Sequence, residues 1–349
     1  MVRAMLDGLS REPGLELHHV NFRLSHDNAD IGRWRPGKIT GTLRLAIQAI
    51  REGRHYHSDT LYYVPSPPGK RGALYRDWLV MLLCRPFFRR LILHWHAVGL
   101  AEWLEAHAVG VERAVTQVLL GRAELAIVLT NSLRHDAEYL NAREIAVVPN
   151  GIPDPRPEPR TVAATIPYQT LFLGLGSAEK GLFAAADAVI AANRKVAAPA
   201  GQPTFTLVAA GPFADPAAEA RFREYSESHP DAIRHVGFAD EKTKRALFAR
   251  SHCLIFPTQY AAEGLPLVVL EALAHDRPIL ATRWRGLPDV VARNCGILVP
   301  PGEVTELTDA LIALRASPPA PGTCRRRFEE EFTLAQHLRQ LTAALRRSE

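Results

Sequence analysis

The sequence has few cysteines and no apolar run long enough to cross a membrane. Its four cysteines form no C-x-x-C pair, which argues against a zinc knuckle and against a dense disulfide framework. The apolar run at residues 78–84 is far too short to span a bilayer, and residues 1–10 lack the apolar core of a signal peptide. We therefore expect reduced thiols and a cytoplasmic protein, either soluble or peripheral at the inner face of the membrane.

A large excess of either charge is also missing. The chain of 349 residues has 42 basic and 37 acidic side chains, a net charge of +5. This excess is too small to indicate a nucleic-acid partner by itself, and we expect none. A hydrophobic content of 47% with 23% charged residues is typical of a globular protein. At roughly 150 residues per domain, the length predicts two domains.

Short apolar runs alternate with helical patterns in both halves of the chain, which predicts an α/β fold with parallel sheets. Five prolines between residues 149 and 159 predict an extended linker, because proline lacks an N–H donor. We place the domain boundary there, between residues 150 and 151. The predicted strands are 15–21, 60–64, 91–95, 125–130 and 144–148 in the first half, and 170–173, 205–209, 233–236, 253–256, 279–281 and 296–299 in the second.

Residues 171–181 read as a strand, a glycine-containing turn and a helix start. The dinucleotide fingerprint fails because Glu179 occupies its last glycine position, and the P-loop pattern fails because Leu182 replaces its lysine. What remains is Lys180 at a helix N-terminus, where backbone N–H groups and the helix dipole favour anions. The alternative is a solvated surface lysine beside a helix start.

A second segment, residues 263–271, places a carboxylate on each side of a predicted helix start. Pro266 suits the first helical position, and Gly264 permits close approach of the backbone. Such a start can hold phosphates through N–H groups, and Glu271 can accept bonds from ribose hydroxyls. The alternative, an ordinary helix carboxylate, is weak for Glu271, because its neighbours are apolar and an ionised group there needs a partner.

Two further patterns leave alternatives open. His94 and His96 lie at the end of the predicted buried strand 91–95 and share one side of it. A third metal ligand is not evident, so each either lines a cleft or is a satisfied core histidine. Residues 78–90 combine apolar and aromatic side chains with Arg85, Arg89 and Arg90. They are typical of a segment at an anionic membrane surface, or of a core helix followed by a turn.

Together these segments resemble the retaining glycosyltransferases of family 4, which have the GT-B fold. The resemblance covers most of residues 125–349. It is carried by residues 148–152, 172–181, 235–238 with the helix at 242–249, 263–271, 282–290 and 296–302. It implies two Rossmann-like, doubly wound domains facing a cleft. Residues 1–150 would be the acceptor-side domain and 151–325 the nucleotide-sugar-binding domain, with a C-terminal helix in 326–349 packing back on the first domain.

The resemblance also implies roles for individual residues. Lys180 would neutralise the donor diphosphate, Glu271 would bind the ribose and Phe238 would contact the base. Glu263 would hold the sugar and phosphates, and His96 would lie by the transferring sugar, with His94 as the second choice. The remaining donor-binding residues would be Gly174, Gly264, Leu265, Pro266 and Leu267.

The implied reaction moves a sugar from a nucleotide-diphosphate donor to a glycan or lipid-linked acceptor, with retention at the anomeric carbon. The pathway would make polysaccharide or cell-envelope glycan, and the protein would associate peripherally with a membrane. No cofactor or metal is expected, in agreement with the lack of an Asp-x-Asp sequence.

Two departures from the family bear on this prediction. Leu175 stands where the family commonly has a phosphate-binding arginine; Arg283 and Arg285 are the candidates to replace that cation. The chain also opens at what resembles the family's first helix, so we expect its first strand and Gly-rich loop to be absent, through a misplaced start or an incomplete domain. The alternatives in function are a non-catalytic GT-B protein that binds nucleotide sugars and a nucleotide-sugar epimerase.

Overall fold

The computed structural model describes residues 2–21, 36–155, 167–196, 202–292 and 294–347. The chain divides into two compact units. The N-terminal unit comprises Met1–Pro149 with Leu338–Glu349, and the C-terminal unit comprises Asn150–His337. Part of the predicted proline linker falls outside the described residues.

The N-terminal unit contains a four-stranded parallel sheet with strand order β1-β2-β3-β4. Apolar residues alternate between the two faces of its central strands, so that Leu91 and Leu93 enter one core and Ile92 enters the other. Its elements are α1 (Val2–Leu9), α2 (Pro36–His55), β1 (Thr60–Tyr63), α3 (Arg71–Cys84), a 3₁₀ turn (Arg85–Phe87), β2 (Arg90–His94), α4 (Leu100–His107), α5 (Gly110–Leu120), β3 (Leu125–Val128), a 3₁₀ turn (Asn131–Leu133), α6 (His135–Tyr139) and β4 (Glu144–Val147).

The C-terminal unit contains a six-stranded parallel sheet with strand order β10-β9-β8-β5-β6-β7. The order reverses between β5 and β8, and the crevice at such a switch point is where doubly wound sheets bind ligands. Its elements are β5 (Tyr168–Leu173), α7 (Leu182–Lys195), β6 (Phe205–Ala210), α8 (Pro216–Ser228), β7 (Ile233–His235), α9 (Glu241–Arg250), β8 (Cys253–Phe256), α10 (Leu267–Ala274), β9 (Ile279–Thr282), α11 (Leu287–Val290), β10 (Gly296–Val299), α12 (Val304–Ala316), α13 (Thr323–Glu331) and α14 (Leu334–Arg347).

The last helix, α14, ends in the N-terminal unit. Its residues Leu341 and Leu345 pack in one apolar cluster with Met5 and Leu9 of α1. The units therefore divide the chain between His337 and Leu338, whereas the predicted third segment begins at residue 326. The difference arises because α13 packs in the C-terminal unit, where Phe328 is fully buried. None of the described helices is both long enough and apolar enough to cross a lipid bilayer.

Most predicted elements are present, but one predicted strand is wrong and one helix was not predicted. Residues 15–21 form no strand, although apolar residues alternate there, because Leu17 is exposed and lies on no buried sheet face. The sequence interpretation also omitted α13, whose run of arginines and glutamates hides its two buried residues, Cys324 and Phe328.

Candidate functional site

Glycines shape the turn between β5 and α7. Gly174 and Gly181 have positive φ angles of +150° and +84°, which side chains rarely adopt. A Cβ atom on Gly181 would lie 2.2 Å from the carbonyl oxygen of Pro257, so only glycine allows this close approach to the end of β8. The turn thereby places Lys180 beside the loop that follows β8.

Lys180 and Glu263 form an ion pair at the carboxyl ends of β5 and β8. The Lys180 ammonium lies 3.0 Å from Oε1 and 2.8 Å from Oε2 of Glu263, and 4.4 Å from the ring centre of Tyr260. The Thr258 hydroxyl donates to Oε2 at 2.9 Å. The Glu263 side chain is 7% exposed and that of Lys180 is 20% exposed. Two predicted site residues, 83 positions apart, are thus brought together in one half-buried cluster.

The loop carrying Glu263 is held on both sides by hydrogen bonds. The Gln259 N–H donates to the Glu179 carbonyl at 2.7 Å, linking the loop to the turn before α7. The indole N–H of Trp284 donates to the Tyr260 carbonyl at 2.9 Å, linking it to the segment after β9. These hydrogen bonds fix the loop that carries Glu263 to the turn before α7 and to the segment after β9. The distance between Lys180 and Glu263 therefore depends on contacts outside the loop itself.

The predicted phosphate-binding backbone lies immediately after Glu263. Gly264, Leu265 and Pro266 are buried, and α10 begins at Leu267. The Leu265 carbonyl accepts a hydrogen bond from the side-chain amide of Asn150 at 3.0 Å. Because Pro266 has no N–H group, the donors that this segment can offer an anion are the other amides of the helix start.

Glu271 lies one turn further along α10 and is paired with Lys244 of α9 at 2.6 Å. Lys244 also contacts the exposed Glu241 at 2.6 Å. Burial raises the pKa of Glu271, while the hydrogen bond and charge of Lys244 act to lower it. Burial alone would lower the pKa of Lys244, but its bonds to the two carboxylates raise it. The sequence predicted that Glu271 needs a partner but did not identify Lys244.

The turns after β5, β6 and β7 pack on one another through glycines. A Cβ atom on Gly211, whose φ is +125°, would lie 2.0 Å from the Gly174 carbonyl oxygen. The Gly211 N–H donates to the Gly237 carbonyl at 2.8 Å, and its own carbonyl contacts Nε2 of His235 at 2.8 Å. Phe238, predicted to contact a base, follows directly and is 80% exposed. The segments that contain Gly174 and Phe238 are therefore linked by backbone contacts, and the phenyl ring of Phe238 takes no part in that link.

The two candidate histidines lie at the end of β2 in the N-terminal unit. His94 is fully buried, and its Nδ1 is hydrogen-bonded to the Tyr62 hydroxyl. Burial of Tyr62 raises the pKa of that hydroxyl. His96 is half-buried in the following loop, with its ring centre 4.1 Å from that of His94. This arrangement fits the core interpretation for His94. The role predicted for His96 stays a prediction. Among the residues that the structure describes, no group of three or more His, Cys, Asp or Glu side chains is arranged to hold a metal ion.

The half-buried Leu175 occupies the position where the resemblance implies a phosphate-binding arginine. Of the two proposed replacements, Arg283 donates from Nη2 to the Leu298 carbonyl at 3.2 Å. The Arg285 guanidinium lies 5.3 Å from the ring centre of Trp284. The contact of Arg283 thus directs its guanidinium toward the edge strand β10.

Comparisons with known proteins show which families and folds the chain resembles. The family model for "Glycosyl transferases group 1" matches residues 168–317, which span β5 to the end of α12. The chain is 27% identical over 126 residues to an amylovoran biosynthesis glycosyltransferase, AmsK, from Erwinia amylovora. The aligned region covers 34% of this chain and 31% of that protein. It is 40% identical over 84 residues to an MMP α-(1→4)-mannosyltransferase from Mycolicibacterium hassiacum, and this aligned region covers 24% of this chain and 20% of that protein. The matched regions therefore span no more than about a third of either curated relative.

The fold is also found among solved structures. The structure of HepE from Anabaena in complex with UDP superposes with a TM-score of 0.68 at 17% identity, covering 88% of this chain and 84% of that chain. This similarity confirms the predicted α/β class with two parallel-sheet units of the GT-B type. The family match and the named relatives support the prediction of a glycosyltransferase enzyme.

Proposed function

We propose that this chain is a retaining glycosyltransferase of family 4 that transfers a sugar from a nucleotide-diphosphate donor to a glycan or lipid-linked acceptor in polysaccharide or cell-envelope glycan synthesis. The observation that carries the proposal is the Lys180–Glu263 ion pair at the switch point of the C-terminal sheet. The names of the relatives, one an amylovoran biosynthesis glycosyltransferase and one a mannosyltransferase, support the reaction class.

The cluster supplies what the departure of a nucleotide diphosphate requires. Negative charge grows on the leaving phosphate, and a fixed ammonium beside a helix start stabilises that charge in the transition state. Thr258 and Tyr260 surround the Lys180–Glu263 pair, so that both side chains are already oriented before a donor binds. In a retaining route, the same phosphate accepts the proton of the acceptor hydroxyl on the face from which it leaves. We expect no metal ion or cofactor in this reaction.

The nucleoside would extend along α10. A carboxylate such as Glu271 accepts bonds from both ribose hydroxyls, and Lys244 holds it in place at 2.6 Å. Phe238, with 80% of its surface exposed, offers its backbone and ring to the base. HepE, whose structure was solved with UDP, provides the precedent for a uracil nucleotide as the first donor to test.

Isothermal titration and turnover with a panel of nucleotide sugars test the proposal. We expect one nucleotide sugar to bind, its hydrolysis or transfer to be measurable, and turnover to be unchanged by a chelator. The product of transfer should keep the anomeric configuration of the donor, as read by NMR. Inversion would contradict the retaining route, and the absence of binding by every nucleotide sugar would contradict the donor site.

Leu175 favours one second candidate, a GT-B protein that binds nucleotide sugars without transferring them. An arginine lost from a phosphate site removes a charge-assisted hydrogen bond worth roughly 1.5–3 kcal/mol. Tight binding with neither hydrolysis nor transfer would identify this candidate. Gain of turnover in Leu175→Arg would then show that the missing cation is the reason.

A further inference from the structure

Two of the four cysteines contact each other in the C-terminal unit. Cys295 directly precedes β10, and Cys324 is the second residue of α13. The Cys324 thiol donates to the Cys295 carbonyl at 3.6 Å and is also hydrogen-bonded to the Cys295 thiol. All four cysteines are buried and free, so the pair is a buried dithiol whose members are 29 positions apart in the chain.

The backbone on both sides of this pair is held in place by hydrogen bonds. The Ile279 N–H of β9 donates to the Cys295 carbonyl at 3.0 Å. At the start of α13, the Asp276 carboxylate accepts bonds from the N–H groups of Gly322 at 2.7 Å and Arg325 at 3.2 Å. Because both backbone segments are fixed next to each other, rotation of the side chains is enough to bring the sulfur atoms to the about 2 Å of a disulfide bond.

The two thiols of the pair also differ from the other two in their chemical environment. The hydrogen bond from Cys324, with the charge of Arg327, lowers the pKa of the Cys295 thiol against the effect of burial. The same hydrogen bond and burial raise the pKa of the Cys324 thiol. Burial raises the pKa of Cys84 to about 11 and that of Cys253 to about 12. Since the thiolate is the form that attacks an oxidant, Cys295 is the nucleophile of the pair.

A small hollow in the surface reaches the pair from the side of Cys324. Its lining includes Asp276, Pro278, Pro318, Pro319, Pro321 and Cys324. The hollow admits a molecule of about the size of water. Hydrogen peroxide is close to water in size, whereas a disulfide of glutathione or of another protein is far too large to enter. The hollow therefore favours a peroxide as the oxidant of this pair.

We propose that Cys295 and Cys324 are an oxidative modification site, at which hydrogen peroxide converts the two thiols into a disulfide that ties α13 to the start of β10. The Cys295 thiolate attacks one peroxide oxygen and the O–O bond breaks. This step leaves a sulfenic acid, and the departing hydroxide becomes water with the proton that Cys295 released. The Cys324 sulfur then attacks the sulfenic sulfur, the S–O bond breaks, and the hydroxyl leaves as a second water with the Cys324 proton.

The reaction balances without a further reactant, because the two thiols lose two electrons and the peroxide gains them. The disulfide would close the 29-position loop between the two cysteines. Closing a loop of this length restricts the unfolded chain, so the oxidised protein should melt roughly 4 °C or more above the reduced protein. The proposal goes beyond the transferase reaction and does not depend on it.

Hydrogen peroxide treatment of the folded full chain tests this site. The thiols that remain are alkylated in denaturant and counted by mass spectrometry, and a proteolytic digest identifies the cysteines that are joined. We expect two of the four thiols to be lost, with one crosslink between the peptides that contain Cys295 and Cys324. Dithiothreitol should restore all four thiols and return the melting temperature to that of the reduced protein.

Cys324→Ser removes one member of the pair. It should form no disulfide within the chain, and peroxide should not raise its melting temperature. Cys253→Ala is the matched control, because it removes a thiol that is equally buried but lies in β8. This control should be crosslinked and stabilised like the unchanged protein. Circular dichroism reports whether each variant is folded, and the crosslink in the unchanged protein decides the question where a variant does not fold.

Three results would overturn the proposal. The folded protein could keep all four thiols and lose them only in denaturant, which would show that peroxide does not reach the pair. The crosslink could join a different pair of cysteines or two copies of the chain. The disulfide could form without raising the melting temperature, which would show that it does not tie α13 to β10 in the native arrangement.

Discussion

The ammonium of Lys244 lies 2.6 Å from Oε1 of Glu271, which joins α9 to α10 across 27 positions of the chain. Both side chains are largely buried, at 18% and 21% exposure. A buried carboxylate needs such a partner, because burial by itself disfavours its charged form. The hydrogen bond and charge of Lys244 therefore act against the effect of burial on the Glu271 carboxyl, at the position where the proposed donor would place its ribose.

Glu271→Gln should weaken nucleotide binding. The neutral amide cannot replace an ionised acceptor, and losing a charge-assisted bond costs roughly 1.5–3 kcal/mol, or about 10- to 150-fold in affinity. Isothermal titration with the bare nucleotide measures this loss. Glu241→Gln is the control, because Glu241 contacts the same lysine but is 75% exposed. Equal nucleotide affinities of the two variants would show that Glu271 does not bind the nucleotide.

Lys180→Ala should lower turnover by roughly 10²–10³-fold, the usual effect of removing one group that stabilises transition-state charge. It should also lower the melting temperature, because Glu263 would keep a buried charge without its cation, at a cost on the order of 3 kcal/mol. Lys195→Ala, which removes an exposed lysine paired with Asp309, should change neither quantity.

The double variant Lys180→Ala with Glu263→Gln separates these two effects. Its melting temperature should recover relative to Lys180→Ala, since no unpaired charge remains, while turnover stays low. Recovery of turnover together with stability would mean that the pair is structural only.

His96→Ala should reduce sugar transfer while nucleotide affinity stays nearly constant, because the contact that the resemblance implies for His96 is to the transferring sugar and not to the nucleotide. Measured kcat and the Kd for the nucleotide separate the two. His107→Ala, which removes an exposed histidine at the end of α4, serves as the control. Turnover equal to that of the control would exclude His96 from the reaction.

The sequence predicted the parts of the fold that depend on local pattern. Buried strands such as β8 (Cys253–Phe256) appear as short apolar runs between helical patterns, and β8 was predicted at its observed bounds. The strand predicted at 15–21 failed because alternation is necessary but not sufficient; a strand also needs a neighbour and a buried face. Helix α13 was omitted because only Cys324 and Phe328 among its nine residues are buried.

The site shows the same division between local and tertiary information. Lys180 and Glu263 could be named from the sequence, because each lies in a recognisable segment shortly before a helix, α7 and α10 respectively. Thr258, Tyr260 and Lys244 could not, because their relevance arises only when β5, β8, α9 and α10 come together. An apolar stretch around Glu271 was the one signal that a cation partner must exist.

Acidification should reduce stability partly through His275. Burial, with added repulsion from Arg277 and other nearby cations, lowers the pKa of His275 to about 4 from its usual 6.5. The unfolded chain therefore binds a proton at this histidine before the folded chain does, so its contribution is complete above about pH 6.5 and is lost as the pH falls towards 4. The contribution is at most roughly 3 kcal/mol.

Urea unfolding between pH 7 and 4.5 measures this dependence. His275→Gln should make the free energy of unfolding vary less steeply with pH over that range, whatever its value at pH 7. His55→Gln, at an exposed position on α2, should leave the slope unchanged. A slope in His275→Gln equal to that of the unchanged protein would show that His275 does not contribute.

Gly211→Ala should destabilise the C-terminal unit and weaken nucleotide binding together. A Cβ atom there would lie 2.0 Å from the Gly174 carbonyl oxygen, and a φ of +125° is strained for alanine whatever the space. We expect a loss on the order of 1–3 kcal/mol in the free energy of unfolding. Because relief of the clash must move the Gly174 turn, which leads to Lys180, nucleotide affinity should fall together with stability.

Gly110→Ala is the control, since Gly110 begins α5 with nothing within 4 Å of an added Cβ atom. A Gly211→Ala protein that is less stable yet binds nucleotide normally would show that the turn after β5 does not position the donor site.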